Sequence, residues 1–131
     1  MLEINGIPPK LTNQECEELI CQQYWYRGKL TQEVDALSLK VNGRWHQLYF
    51  ENGIVFWRLL VEAPKPFEHK PGDPFEYPLI NLGEQLDVKN VLISDYATDA
   101  LIEGVRVSIS FEDKGVLIIK HVDNMTSISF I

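Results

Sequence analysis

His46 and His121 are the side chains of this sequence best suited to proton chemistry at neutral pH, and strand alternation places both on faces that should be buried. A two-residue turn at Asn52-Gly53 pairs Phe50 with Val55, Leu48 with Trp57 and His46 with Leu59. Across the preceding Asn42-Gly43 turn, His46 also faces Leu39. Near the end of the chain, a loop at Asp113-Lys114-Gly115 pairs Phe111 with Leu117, Ile109 with Ile119 and Val107 with His121. Each histidine then stands on the third rung from its turn, and Arg44 lies one rung beyond His46 on the same face. If the sheets curl toward one another, His46, His121 and Arg44 are candidates to line a pocket for an anionic small ligand. The competing reading makes both histidines core residues that hydrogen-bond a neighbouring carbonyl.

Other chemistry finds little support. His69 is the only further histidine, and neither His-x-His nor His-Glu-x-x-His spacing occurs, so no metal ligand set is expected. Ser94-Asp95-Tyr96 lacks the Gly-x-Ser-x-Gly elbow of a hydrolase. Glu17-Glu18 and Glu112-Asp113 read as solvated charge, and no glycine-rich phosphate loop exists, so no cofactor is expected. Cys16 and Cys21 lack Cys-x-x-Cys spacing and read as free thiols in a reducing compartment.

The 131 residues fit one domain spanning 1–131, and 45% hydrophobic with 24% charged residues is a globular composition. A net charge of -7 without clustered Lys and Arg argues against nucleic acid as a partner. It suits a basic protein partner steered by charge. No apolar run has signal-peptide or membrane-spanning character, so a cytoplasmic location is expected.

The elements that would position these groups begin with a helix over about residues 13–25. Thr12-Asn13-Gln14-Glu15 has the form of a capping box, Cys16, Leu19, Ile20 and Tyr24 form a helical stripe, and Gly28 supplies a stop. From Ala36 the period becomes two, and the two Asn-Gly turns predict a three-stranded antiparallel meander ending near Val61. Val105–Phe111, Val116–Val122 and Thr126–Ile131 form a second β block, preceded by a strand-like Val88–Tyr96. Residues 95–103 are open to helix or strand. The hairpins Leu48–Val55 and Ile109–Leu117 share a Phe-Glu-Asn/Asp-Gly pattern, which is either a duplicated β unit or convergence on turn chemistry.

The expected architecture is α+β, with the N-terminal helix packed on a mostly antiparallel sheet, as a sandwich or a partly open barrel. The meander's second face carries Trp45, Tyr49 and Arg58, and the helix ends in Trp25 and Tyr26. These are candidates for an interaction surface, either with a second copy or with a foreign partner, wherever the helix does not cover them. Residues 62–83 hold five of the chain's seven prolines together with Phe67, His69, Phe75 and Tyr77. That aromatic content predicts a crossover within one domain, pinned across the sheet or barrel mouth. The leading functional expectation is a non-enzymatic interaction module, with an inhibitor or immunity-type protein as one form. The alternative is a small-ligand binder or enzyme built on His46, His121 and Arg44.

Overall fold

The computed structural model describes residues 2–131, and it is nearly all β. Strands take 61% of the chain and helix 3%, which overturns the α+β expectation. The helix expected over residues 13–25 is instead extended chain: β2 (Glu15–Cys16) and β3 (Glu18–Tyr26). Asn13 has φ 68°, a left-handed conformation that no helix interior accepts, and its N–H pairs with the Ile93 carbonyl. The capping-box pattern is thus consumed by a turn, in which Gln14 N–H returns to the Leu11 carbonyl.

The physical reason lies in the neighbours of β3. It pairs along one edge with β4 (Lys29–Val41) and along the other with β7 (Phe75–Glu76) and β8 (Leu79–Asn81). A strand with partners on both edges satisfies its backbone groups by pairing, locally with β4 across the Arg27-Gly28 turn and non-locally with β7 and β8, which outweighs the few tenths of a kcal/mol per residue separating helix from strand propensity. Leu19 and Cys21 face the core while Ile20 and Gln22 face outward, so apolar residues on both faces imitate a helical stripe. The only helix among the described residues is α1 (Leu82–Gln85), capped by the Asn81 side chain accepting from Glu84 N–H at 3.1 Å.

The meander is present as the turns predict. β5 (Arg44–Glu51) pairs with β4 through Leu39–His46, and with β6 (Ile54–Leu60) through Leu48–Trp57, Gln47–Arg58 and Tyr49–Phe56. Asn42 and Asn52 both have φ 50°, as this turn type requires. β1 (Ile4–Asn5) lies parallel to β6, and Gly6 continues it at φ 91°. A Cβ at Gly6 would run into the Trp57 carbonyl and come within 2.7 Å of Arg58 Nη1. The larger sheet has the order β1-β6-β5-β4-β3-β7, with β8 also on β3.

The smaller sheet has the order β12-β11-β10-β9-β2, formed by β9 (Val91–Leu101), β10 (Gly104–Phe111), β11 (Gly115–Val122), β12 (Met125–Phe130) and β2. Residues 95–101, open between helix and strand, continue β9. The observed loop is Glu112-Asp113-Lys114, so Phe111 pairs with Gly115, Ile109 with Leu117 and Val105 with His121. This differs by two residues from the expected register. A shift of two keeps every side chain on its face, so His121 still points inward. Phe50 pairs two residues past its turn glycine whereas Phe111 pairs with the glycine itself, so the two similar hairpins are not equivalent in register.

One sheet curls into a half-barrel, and both sheets contribute to a single core that includes Leu37, Leu48, Trp57, Val107, Ile109 and Ile119. Both edges of the smaller sheet meet β4. At one end Glu17, between β2 and β3, donates its N–H to Lys40 at 2.8 Å. At the other end Gln32 and Glu33 bond the backbone of Asn124, Thr126 and Ile128. No helix among the described residues is long and apolar enough to cross a membrane.

Candidate binding groove

The proline-rich crossover leaves β6 at one side of the larger sheet and returns at the other, where β7 and β8 add to β3. Along the way residues 61–65 form the wall of a shallow cleft with Gln22 and Gln47, which face outward on β3 and β5. The crossover therefore runs over the outer face of the sheet. His69 is exposed, with Nδ1 3.2 Å from the Phe75 carbonyl oxygen, so it belongs to the turn at the end of this loop.

Aromatic rings fasten the loop to β3. Tyr24 stacks on Tyr77 at 5.3 Å and on Phe75 at 6.3 Å, with planes 20° and 16° apart. Phe67 meets Tyr77 edge-on at 5.0 Å, and Tyr26 packs against Phe75 at 5.3 Å. Contacts of this kind contribute about 0.5–1.5 kcal/mol each beyond burial. Between loop and strand they leave a groove of about 510 Å³ lined by Gln22, Lys65, Pro66, Phe67, Glu68, Asp73, Phe75 and Tyr77. That volume lies within the range of ligand-binding sites.

The groove is acidic as well as aromatic. Lys65 is its only cation among the described residues, and its ammonium lies 3.0 Å from the Glu62 carboxylate. Asp73 Oδ1 accepts the Phe75 N–H at 3.0 Å, which sets the turn into β7. Gln22 Nε2 donates to Asp35 Oδ2 at 2.8 Å. Burial raises the Asp35 carboxyl above its usual range, a shift the Gln22 hydrogen bond opposes. Burial, then the nearby Asp35, Tyr24 and Asp73, hold the Tyr77 hydroxyl above the ordinary phenol range, so it remains protonated.

The three residues of the candidate anion pocket are not brought together. His46 and Arg44 lie near the β4–β5 turn, with Arg44 exposed and His46 half-buried. Burial, and then Arg44, hold the His46 imidazole below its usual range. His121 lies at the other end of β5, stacked on Phe50 at 5.3 Å. Phe50 is four residues from His46 along an extended strand, on the order of 13 Å. His121 is buried and both its ring nitrogens are engaged, Nε2 by the Gly53 N–H at 3.3 Å and Nδ1 by Thr126 Oγ1 at 3.0 Å. A cleft of about 280 Å³ beside it contains neither His46 nor Arg44.

The candidate interaction residues divide similarly. Trp45 is buried at 8% exposure, and Trp25 Nε1 donates to Gln23 Oε1 at 2.9 Å. Tyr49 stacks on Phe56 at 4.9 Å. Arg58 bonds the Trp57 carbonyl, the Asn5 carbonyl and Asn5 Oδ1, and so clamps β1 to β6. Tyr26 lies beneath the Arg27 guanidinium at 5.3 Å and borders the aromatic cluster. Phe67, Phe75 and Tyr77, expected to cover the sheet, line the groove itself. Gln22 and Tyr24 are missed as groove residues because a helix over 13–25 leaves β3 no strand face to share with the loop, and Asp35 precedes the meander expected from Ala36.

The chain matches no family model, no curated protein and no solved structure.

Proposed function

We propose that this chain is a non-enzymatic binding module whose site is the groove between the proline-rich crossover and β3, and whose partner is a basic protein. The observation that carries this reading is the lining of the groove: Phe67, Phe75 and Tyr77 stand beside Glu68 and Asp73, while Lys65 is drawn to Glu62. Rings and carboxylates together favour a group that is both cationic and part apolar. The net charge of -7 adds long-range steering of the same sign. Catalysis has less support, since His121 has both nitrogens engaged and His69 spends Nδ1 on a backbone carbonyl. Two free, buried thiols fit residence in the cytoplasm.

The test is reconstitution from purified components. A partner captured from the source extract should bind again as a pure protein, with affinity falling as salt rises. Glu68→Lys should weaken that complex at least about tenfold, since like-charge juxtaposition at an interface costs more than 1.4 kcal/mol. A reconstituted complex indifferent to both salt and Glu68→Lys would refute the site.

A further inference from the structure

We infer that the groove reads an arginine side chain of that partner, the guanidinium lying against the rings of Phe67, Phe75 and Tyr77 with Glu68 and Asp73 as its acceptors. This rests on the proposed binding role and narrows it to one residue type. The rings supply the first reason. Phe75, Tyr24 and Tyr77 form a near-parallel series, with planes within 20° of one another across each contact. Phe67 meets Tyr77 edge-on at 64°, so a planar group can stack on one ring face while its edge meets another, and guanidinium is the planar cation among side chains. A lysine ammonium is compact, strongly hydrated and has no plane to stack.

The chain itself makes this contact twice on the larger sheet. Arg27 lies over Tyr26 at 5.3 Å and Arg58 over Phe56 at 5.4 Å. The carboxylates supply the second reason. Glu68 is exposed and forms no ion pair among the described residues, and Asp73 commits only Oδ1 to the backbone of Phe75. Acceptors beside a ring face match the fork of a guanidinium, which donates along its edge while its face stacks.

The experiment titrates two blocked peptides of equal length and charge, one presenting arginine and one lysine, into the whole chain at low salt. The arginine peptide should bind about two- to fivefold more tightly, the increment of one ring–cation contact at an exposed site. Phe67→Ala should erase that preference while leaving lysine binding in place, and Phe67 is 53% exposed, so the fold survives the change. Glu68→Gln should weaken both peptides. Equal affinities, or a preference that survives Phe67→Ala and Tyr77→Leu alike, would overturn the arginine assignment and leave the basic-partner reading standing. Failure of both peptides to bind at low salt would bring down both.

Discussion

His121 Nε2 accepts the backbone N–H of Gly53 at 3.3 Å, a bond that ties the smaller sheet to the β5–β6 turn of the larger one. An imidazole nitrogen that accepts carries no proton, so Nδ1 holds the hydrogen and donates it to Thr126 Oγ1 at 3.0 Å. His121 is therefore neutral in the folded protein, and burial holds it below its ordinary value of 6.5. The unfolded chain takes up a proton near pH 6.5, before the folded chain does.

Stability should consequently be full above about pH 6.5 and decline as pH falls through the window below it. His46, also held low, acts with the same sign. Urea midpoints measured from pH 7.5 to 5 should fall with pH, and His121→Phe should flatten part of that slope while lowering stability about 1–3 kcal/mol throughout by orphaning its partners. An unchanged slope in His121→Phe would show that this ring does not carry the dependence.

A second tie between the sheets runs from Trp57 Nε1–H to the Tyr96 hydroxyl at 3.1 Å, with the rings edge-on at 6.0 Å. Trp57 is 1% exposed, so its indole N–H has no water to turn to. Tyr96→Phe keeps the ring and removes the acceptor. The expected loss is about 1–3 kcal/mol, the cost of leaving a buried donor unpaired. A midpoint within error of the parent would mean that the indole finds another acceptor.

Legibility in the sequence followed the range of the interactions. The meander is readable because Asn42-Gly43 and Asn52-Gly53 fix its register within a few residues, down to Leu48 opposite Trp57 and Gln47 opposite Arg58. The β10–β11 register misses by two because Glu112, Asp113, Lys114 and Gly115 all suit a turn, yet its inward face is correct. Residues 13–25 mislead because β3 owes its form to β4, β7 and β8, two of which pair with it from about fifty or more residues away. The groove is half legible for the same reason. Phe67, Phe75 and Tyr77 are conspicuous in a proline-rich loop, but Gln22 and Tyr24 belong to the strand hidden under helix-like spacing.

The two cysteines offer a chemical test of the corrected N-terminal region. Cys16 and Cys21 are both buried, and their thiols are pushed up to about 12. Burial is the main cause, helped by Glu17 at the first and by Glu33 and Asp35 at the second. At pH 8 almost no thiolate forms, and thiolate is the reactive species. An aromatic disulfide reagent should therefore modify neither residue in the native protein and both in denaturant. Prompt reaction of either under native conditions would contradict the strand placement of β2 and β3.

The seam between β4 and β12 is closed by side chains where a continuous sheet would use backbone. Gln32 donates from Nε2 to the Asn124 carbonyl at 2.7 Å and accepts the Thr126 N–H at Oε1, 2.8 Å away. Glu33 Oε2 accepts the Ile128 N–H at 3.1 Å. One amide side chain thus satisfies a donor on an edge strand, which would otherwise be free to pair with another chain, and an acceptor in the turn that leads into it. Gln32→Leu, similar in size and unable to hydrogen-bond, should cost about 1–3 kcal/mol and speed amide exchange at Thr126 more than at residues of β10. Gln32→Glu keeps the acceptor for Thr126 but places a carboxylate against the Asn124 carbonyl, so it should recover the Thr126 protection only in part. If Gln32→Leu leaves the Thr126 exchange rate unchanged, the seam is held by packing, and its side-chain hydrogen bonds contribute little.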